Sequence, residues 1–186
     1  MTPFDKAQDE REPVETVWEG KFIAAKRIGK WEFVSRTRGV SAAVILAVHE
    51  GHVLLVEQHR APLGAMCVEP PAGLVGDEEE GEAIETAAIR ELEEETGYRA
   101  ERMVALGRFH ASPGMSSEGF TLLRAEGLTK VGEGGGVAGE DIIVHRVPLG
   151  EVPAFVAAKR AEGAAMDVKM LILLAGPMLA GLESRP

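Results

Sequence analysis

Apolar positions along the chain follow two periods, one typical of strands and one typical of helices. Alternating or continuous apolar runs bounded by glycine, proline or polar pairs predict strands. The predicted strands cover residues 17–28, 31–37, 41–48, 52–58, 66–68, 103–109, 120–125 and 142–148. Helical spacing predicts helices over residues 80–96, 151–163 and 167–175. Strands that flank helices without strict alternation favour an α+β fold with a mixed sheet.

Glycine and proline mark the expected ends of several elements. Gly29-Lys30 predicts a hairpin turn, and Gly97 is well placed to end the helix predicted over residues 80–96. The prolines of residues 69–73 are expected to stop regular structure before that helix, and Gly176-Pro177 to end the last helix. The glycine-rich residues 132–139 predict a mobile linker.

The 186 residues are enough for one domain with a real core and a small appendage. Residues 1–16 are polar and contain proline, so we expect a flexible lead-in there. Residues 17–40 form the predicted N-terminal strands, and residues 41–186 form the main domain.

The helix predicted over residues 80–96 carries carboxylates on its apolar side. At about 100° per residue, Glu91 and Glu95 fall either side of Ile84, on the stripe that includes Leu92, whereas Glu82, Glu85 and Glu93 fall toward solvent. An unpaired buried charge is costly, so the inward carboxylates need a partner. A hard divalent cation such as Mg²⁺ suits them. The alternative is a glutamate-rich surface helix paired with lysine or arginine.

Net charge and cysteine content indicate which binding partners and which cellular compartment to expect. A net charge of −10 argues against nucleic acid as the main ligand, so an anionic substrate would need metals and local arginines. The single cysteine, Cys67, excludes an internal disulfide and fits a reducing compartment. The N-terminus lacks a signal-peptide pattern, and the most apolar run, residues 170–175, is too short to span a membrane. We therefore expect a cytoplasmic protein without a membrane partner.

Residues 76–98 follow the pattern G-x5-E-x7-R-E-L-x-E-E-x-G-Y. The positions in register are Gly76, Glu82, Arg90, Glu91, Leu92, Glu94, Glu95 and Gly97. This segment resembles the complete signature of the Nudix hydrolases. The resemblance implies an α/β/α sandwich and hydrolysis of a nucleoside diphosphate linked to another group, with Mg²⁺, or Mn²⁺ in its place, as cofactor.

By this resemblance, Glu91 and Glu95 would be the principal metal ligands. Glu94 would be a weaker candidate, and Arg90 would orient a glutamate of the signature. The segment Glu69-Pro-Pro-Ala-Gly73 is similar to the E-x-P-A-G segment of ADP-ribose and ADP-sugar pyrophosphatases. In that group the carbonyl at the position of Ala72 also binds metal.

The N-terminal strands extend the resemblance to ADP-sugar pyrophosphatases. Aromatic residues at the positions of Phe22 and Trp31 would hold an adenine across a homodimer with exchanged N-terminal strands. Glu32 and Arg36 belong to the same segment, and the equivalent of Arg36 contacts substrate. Two core aromatic residues on strands remain the alternative reading.

Further candidates lie in loops. Arg60 matches a substrate-binding arginine nine residues before Glu69, and a guanidinium can bind phosphate through two parallel hydrogen bonds. Ser112 and Met115 lie in a stretch that resembles a substrate-closing loop, although the position of Ser112 is often acidic in the family. Glu140 resembles the loop glutamate that deprotonates water.

Each loop assignment has an alternative. Asp141 is the other candidate base, and a solvated loop charge is the plain interpretation of either acid. Arg60 could likewise be a loop arginine without a ligand. The five histidines have no metal-type spacing and receive no role.

One departure from the family concerns the start of the signature. Gly76, not Gly73, supplies the spacing to Glu82, so the acidic loop over residues 75–81 is about three residues longer than in the ADP-ribose group. The resemblance as a whole implies an Mg²⁺-dependent ADP-ribose or ADP-sugar pyrophosphatase. The alternatives are an enzyme for another nucleoside diphosphate sugar, such as GDP-mannose, and a non-catalytic nucleotide-sugar sensor.

Overall fold

The computed structural model describes residues 12–37, 41–76, 81–137 and 139–183. The chain divides into two compact units. The N-terminal unit comprises the described residues through Ser41 together with residues 110–119, and the main unit comprises residues 42–109 and those from 120 onward. Residues 1–11 of the predicted lead-in lie outside the described residues. No helix among the described residues is long and apolar enough to cross a membrane.

The N-terminal unit contains a three-stranded antiparallel sheet in the order β1-β2-β3. The strands are β1 Glu15–Glu19, β2 Ile23–Ile28 and β3 Trp31–Arg36. The predicted single strand over 17–28 is therefore wrong, because the chain turns where the Gly20 N–H donates to the Ile23 carbonyl at 2.9 Å. The prediction that residues 1–16 form a flexible lead-in is wrong at residues 15 and 16, which belong to β1. The hairpin at Gly29-Lys30 is confirmed.

A distant segment completes the N-terminal unit. The Val34 N–H donates to the Met115 carbonyl, and the Ser117 N–H donates to the Val34 carbonyl, both at 2.9 Å. Residues 110–119 are thus joined to β3 by backbone hydrogen bonds. Sequence patterns did not predict this, since pairing of distant segments leaves no local periodicity.

The main unit is built on mixed sheets. Its strands are β4 Ser41–Leu46, β5 Val48–His49, β6 His52–Arg60, β7 Ala65–Glu69, β8 Ala72–Val75, β9 Tyr98–Arg99, β10 Arg102–His110, β11 Gly119–Glu126, β12 Thr129–Lys130, β13 Ile143–Pro148 and β14 Ala165–Met166. Two longer sheets have the orders β10-β11-β4-β8 and β13-β6-β7-β14, and β5 pairs with β6. β11 and β4 are parallel, whereas β13 and β6 are antiparallel. The predicted α+β class with mixed sheets is confirmed.

Strand β8 corrects one prediction. Regular structure was expected to stop over residues 69–73, yet it resumes at Ala72. The Pro71 carbonyl accepts a hydrogen bond from the Ile45 N–H at 2.8 Å, which returns the chain to β4 immediately after the prolines. Proline lacks a donor but keeps its carbonyl acceptor, so it can still guide a strand at its first residue.

The described residues contain three α-helices: α1 Ile84–Thr96, α2 Val152–Ala161 and α3 Leu171–Glu183. The predicted start of α1 near residue 80 is wrong, because Gly81 has φ 86° and Ala83 has ψ 137°, neither of which is helical. Its predicted end is confirmed, with Gly97 in the left-handed region at φ 74°. The predicted end of α3 at Gly176-Pro177 is wrong. The helix continues through both residues to Glu183, and Leu174 within it is buried in the core.

Hydrophobic clusters lie on both faces of strand β6. Leu54 belongs to a cluster with Leu92 of α1, whereas Val53 and Leu55 belong to a cluster with Val152 and Val156 of α2. Successive residues of a strand point to opposite faces, so helices cover both sides of this strand. The arrangement within the main unit is a helix-sheet-helix sandwich.

One buried polar group ties α2 to β6. The Glu57 carboxylate lies 2.7 Å from His145 Nε2 and 2.9 Å from Lys159 Nζ. Burial raises the pKa of Glu57, but hydrogen bonds from Lys159 and His145 outweigh it and bring the pKa below its ordinary value. His145 therefore has a structural partner that histidine spacing did not indicate.

Candidate active site

Glu95 is the buried carboxylate of helix α1, with 5% of its surface exposed. Its Oε2 accepts a hydrogen bond from the Ala72 N–H at 3.0 Å. Ala87, Ala88 and Leu92, on the same stripe, are fully buried. The helical periodicity thus predicted correctly that this acid points inward, against the first residue of β8.

Glu91 lies against the next residue of β8. A Cβ added at Gly73 would fall 2.0 Å from the Glu91 Cδ, far inside any contact distance. Gly73 is therefore what allows the carboxylate of Glu91 to approach the backbone of β8. The side chain of Glu91 is only 16% exposed.

Arg90 lies among three acids of the signature segment. Its guanidinium is 3.1 Å from Glu91 Oε1, 3.3 Å from Glu94 Oε2 and 3.6 Å from Glu82 Oε2. Because a guanidinium carries five donors in a rigid plane, it can restrain several carboxylates at once. The contact with Glu91 agrees with the predicted orienting role, which itself stays a prediction.

Glu82 was predicted to face solvent, and the structure contradicts this. Its side chain is 11% exposed and directed toward Arg90. Glu82 precedes the helix, which begins at Ile84, so its direction does not follow the helical angle used for the prediction. Glu93, in contrast, binds the exposed Arg99 at 2.6 Å, as expected for an outward residue.

Burial raises the pKa of Glu95 to about 8. The neighbouring charges of Glu91 and Glu140 raise it further, whereas the Ala72 N–H and the Arg60 guanidinium oppose the shift. This carboxyl therefore prefers to be neutral unless a cation joins it. A buried carboxyl with a raised pKa and a second inward acid, Glu91, on the same helix form a site that a divalent cation would stabilise.

The carboxylates of Glu91 and Glu95 suit a hard cation that takes only a few of its ligands from the protein. Glu91 and Glu95 supply oxygens four residues apart, and the backbone of β8 adjoins both. Within residues 12–37, 41–76, 81–137 and 139–183, no group of three or more histidine, cysteine, aspartate or glutamate side chains is placed to enclose a metal. Mg²⁺ often takes only one or two carboxylates, with waters and substrate phosphates completing its shell.

Arg60 is held by Glu69. Its Nε and Nη2 donate to the two carboxylate oxygens of Glu69 at 2.6 and 2.8 Å. Glu69 is 2% exposed, whereas the side chain of Arg60 is 42% exposed. The hydrogen bond with Glu69 raises the pKa of Arg60. The arginine is thus a fixed cation near the carboxylate of Glu95, with N–H donors left for another anion.

The loop that carries Glu140 is attached to the end of α1. The Gly135 and Gly136 N–H groups donate to the Glu95 and Glu94 carbonyls, both at 2.9 Å. The described part of the predicted mobile linker is therefore hydrogen-bonded to the helix. Glu140 is exposed, and its Oε2 accepts from the Val137 N–H at 2.9 Å within the same loop.

The aromatic candidates lie in the N-terminal unit and are exposed. Phe22 is 61% and Trp31 is 62% exposed, which excludes the alternative that they are core residues. Lys21 Nζ lies 4.9 Å from the centre of the Phe22 ring. Both rings thus present flat apolar surface that a base or a second protein chain could cover.

The other candidates of the N-terminal unit have modest local roles. Arg36 Nε donates to Glu118 Oε1 at 2.6 Å, and exposed Glu32 stands opposite Arg27 in the β2–β3 pairing. Met115 is 64% exposed, and the Ser112 carbonyl accepts a hydrogen bond from its N–H at 3.0 Å. The structure therefore brings one set of predicted residues together in the main unit and another in the N-terminal unit.

Sequence reasoning gave no individual role to two acids of the main unit. Glu69 binds Arg60 through two hydrogen bonds. The spacing of nine residues between them, which was used to identify Arg60 as a candidate, also pointed to Glu69 as its partner. Glu82 contacts Arg90, and its place in the signature was the corresponding signal.

The family model of the NUDIX domain matches residues 37–162, more than half of the chain. Among curated proteins, the methanol dehydrogenase activator of Bacillus methanolicus is 38% identical over 121 residues, covering 64% of each chain. The ADP-ribose pyrophosphatase of Bacillus subtilis is 41% identical over 93 residues, covering 50% of this chain and 49% of that protein. The chain therefore spans less than two thirds of the length of these relatives.

A longer match is the GDP-mannose pyrophosphatase of Cronobacter sakazakii, 34% identical over 154 residues, with 78% of this chain and 76% of that protein covered. A solved structure described as an ADP compounds hydrolase superposes with a TM-score of 0.67 and 19% identity. It covers 92% of this chain and 94% of its own, which shows a shared fold. The matched domain, the long relative and the signature on α1 together establish that the chain belongs to the NUDIX domain family.

Proposed function

We propose that this chain is an Mg²⁺-dependent pyrophosphatase that hydrolyses ADP-ribose or a related ADP-sugar to AMP and a sugar phosphate. The observation that carries the proposal is the inward pair Glu91 and Glu95, packed against Ala72 and Gly73 at the start of β8. Relatives named ADP-ribose pyrophosphatase support the substrate class. Mn²⁺ is the proposed substitute cation.

The metal would be held by Glu91, Glu95 and the Ala72 carbonyl. When bound, it would neutralise charge on the diphosphate oxygens, which is the main demand of phosphoryl chemistry. Arg90 restrains Glu91 and Glu94 and so positions the carboxylates for this task.

Arg60 is the proposed phosphate-binding residue. Two of its nitrogens are engaged with Glu69, and its remaining N–H donors can bind a diphosphate oxygen. Glu140 is the proposed base for the attacking water. Its Oε2 is held by the Val137 N–H, so Oε1 would accept the proton.

Recognition of the nucleoside is proposed for residues of the N-terminal unit. Exposed Phe22 and Trp31 would stack on the adenine, an interaction worth about 1–3 kcal/mol per base. Arg36 and Glu32 are the proposed polar contacts, and Ser112 and Met115 belong to the proposed closing loop.

A homodimer with exchanged N-terminal strands is part of the proposal. All five residues of β1 are exposed, including Val17 at 59% and Trp18 at 56%. Strand β1 therefore carries uncovered apolar surface. The expected cytoplasmic location and the absence of nucleic-acid and membrane partners stay predictions.

Another nucleoside diphosphate sugar is the second candidate substrate. The GDP-mannose pyrophosphatase relative matches over more of this chain than the ADP-ribose pyrophosphatase does. Stacking on Phe22 and Trp31 would tolerate guanine as well as adenine. A non-catalytic nucleotide-sugar sensor is the alternative from a different class.

The test is to incubate the purified protein with ADP-ribose, ADP-glucose and GDP-mannose, with Mg²⁺ or with EDTA, and to measure release of nucleoside monophosphate. We expect the largest kcat/KM for an ADP-sugar and no release in EDTA. A larger kcat/KM for GDP-mannose would move the proposal to the second substrate, and binding without any turnover would favour the sensor.

The matched variants are Glu95→Gln and Glu93→Gln on the same helix. Glu95→Gln should lower kcat about 100-fold or more, because it removes an anionic oxygen from the metal site. Glu93→Gln should leave kcat near the wild-type value, because Glu93 binds exposed Arg99. An unchanged rate in Glu95→Gln would remove that residue from the metal site.

A further inference from the structure

A polar cavity of about 630 Å³ opens in the N-terminal unit, at the end of the sheet where β1 and β3 finish and β2 begins. Its lining contains three cations, three hydroxyl groups and one acid: Lys21, Lys26, Arg36, Ser35, Thr37, Ser117 and Glu19. We call this the basic cavity. A surplus of positive charge in one place is unexpected in a chain with 30 acids and 20 bases.

The two lysines of the basic cavity lack carboxylate partners. Among the described residues, no acid lies within salt-bridge distance of Lys21 or Lys26, whereas other lysines such as Lys130 and Lys159 are each paired. Arg36 binds Glu118, which leaves part of its guanidinium available. Of the three cations, Arg36 is the one with a salt-bridge partner among the described residues, and Glu19 is the one acid of the lining.

Ser35 provides an independent indication of a ligand. The residue is 7% exposed, and its Oγ has no hydrogen-bond partner among the described residues. A buried hydroxyl without a partner is unfavourable, so such groups usually serve a ligand or a water. Ser35 lines the basic cavity, and strand pairing sets it opposite Ala24, whose small side chain leaves the space open.

The backbone also holds the mouth of the cavity in place. The Thr37 N–H donates to the Phe22 carbonyl at 3.1 Å, and the Thr37 hydroxyl donates to the Lys21 carbonyl at 2.9 Å. These bonds fix the backbone of Lys21, whose ammonium group lies 4.9 Å from the centre of the Phe22 ring. Cations that line one cavity together with a buried hydroxyl are suited to bind a tetrahedral oxyanion.

We propose that the basic cavity is a binding site for a phosphate group, formed by Lys21, Lys26 and the Ser35 hydroxyl. Phosphate offers several acceptor oxygens and a double negative charge, which match two ammonium groups and hydroxyl donors. Inorganic phosphate and the phosphomonoester of a nucleotide share this chemistry. The proposed site includes none of the carboxylates of α1 and does not depend on the proposed hydrolysis.

Calorimetric titration with sodium phosphate tests the proposal. It is done on the full chain in EDTA, with sodium chloride titrations matched in ionic strength. We expect saturable binding to the wild type, at least about tenfold weaker binding to Lys26→Ala and a smaller loss in Ser35→Ala. Lys30→Ala is the matched control, because Lys30 is an exposed lysine of the same hairpin outside the cavity.

Absence of phosphate binding to the wild type would overturn the proposal. So would equal affinity in Lys26→Ala and the wild type, or an equal loss in Lys30→Ala. Thermal unfolding of each variant shows whether the fold is kept. If Ser35→Ala fails to fold, Lys26→Ala and Lys30→Ala still decide the outcome.

AMP and adenosine distinguish the sources of the phosphate. If a nucleotide phosphate is the occupant, AMP should bind more tightly than inorganic phosphate, and Lys26→Ala should weaken AMP but not adenosine. If inorganic phosphate is the occupant, Lys26→Ala should weaken phosphate and leave AMP unchanged. Since EDTA removes the metal, these results do not depend on catalysis and separate this proposal from the proposed function.

Discussion

Gly73 shows how a residue without a side chain can shape a carboxylate site. The Glu91 carboxyl carbon occupies the place where any Cβ at this position would project. Interiors are packed so closely that an overlap of this size must displace one of the two groups. The position of Glu91 therefore depends on Gly73 as much as on the helix that carries the glutamate.

Gly73→Ala should lower kcat at least about tenfold, because the added methyl group pushes Glu91 away from Ala72 and Glu95. Steady-state hydrolysis of ADP-ribose in Mg²⁺ measures the effect. Gly150→Ala is the matched control in the main unit, since a Cβ there meets nothing within 4 Å. Equal rates in the two variants would show that the placement of Glu91 does not matter.

The Glu95 carboxyl should make the stability of the metal-free protein depend on pH. Its pKa is about 8 in the folded state against an ordinary value of 4.5, so folding favours its protonated form. The resulting contribution of Glu95 to the free energy of unfolding is fully present below pH 4.5 and is lost as pH rises through about 8. The slope from one such group cannot exceed about 1.4 kcal/mol per pH unit.

Unfolding temperatures in EDTA should therefore fall more steeply between about pH 5 and pH 9 for the wild type than for Glu95→Gln. Mg²⁺ should raise the unfolding temperature more at pH 9 than at pH 5, because the ionised carboxylate binds the cation. Parallel pH profiles of the two proteins would contradict the assignment of the shift to Glu95.

Helix α1 and the glycine-rich loop behave as one element at their junction. A Cβ added at Gly134 would lie 2.4 Å from the Thr96 carbonyl carbon, and Gly134 has φ 72°. The loop can approach the helix end only because glycine tolerates both conditions. Through this contact the loop that carries Glu140 is held at the end of α1 that carries Glu95.

Gly134→Ala should reduce the free energy of unfolding by about 2 kcal/mol or more and should lower kcat, since both backbone strain and overlap result. Chemical denaturation and hydrolysis rates measure the two effects. Gly139→Ala is the matched control because Gly139 also has a positive φ, 99°, but its added Cβ meets nothing within 4 Å. A similar change in both variants would mean that strain alone is responsible.

At this scale, the sequence was informative wherever the signal was local. The burial of Glu95 followed from periodicity within one helix, and the end of α1 followed from Gly97. The start of α1 did not, because the left-handed turn at Gly81 interrupts a stretch whose composition still suits a helix. Pairing of residues 110–119 with β3 depends on contacts between distant segments, which periodicity does not encode.

At the scale of the whole molecule, the exposed strand β1 is the feature most in need of a partner. Val17 and Trp18 present apolar surface on a strand with no buried residue. A second copy of the chain would cover this surface and would accord with the proposed homodimer.

Val17→Glu should convert the proposed dimer to a monomer, because it would bury an unpaired charge at the interface. Sedimentation velocity measures the change. Val168→Glu is the matched control, since Val168 is 50% exposed in the main unit. A wild-type monomer, or a dimer that survives Val17→Glu, would contradict the exchange of N-terminal strands.

The salt bridge between Arg60 and Glu69 has a consequence for substrate binding. An unrestrained arginine carries about 2 kcal/mol of rotamer entropy, which it loses whenever it grips an anion. Here Glu69 already holds the Arg60 guanidinium in the folded protein. The rotamer entropy of Arg60 is therefore lost on folding and not again each time a substrate binds. A diphosphate would then bind a guanidinium that is already in position. Glu69→Gln should therefore lower kcat/KM, although Glu69 itself is not proposed to contact the substrate.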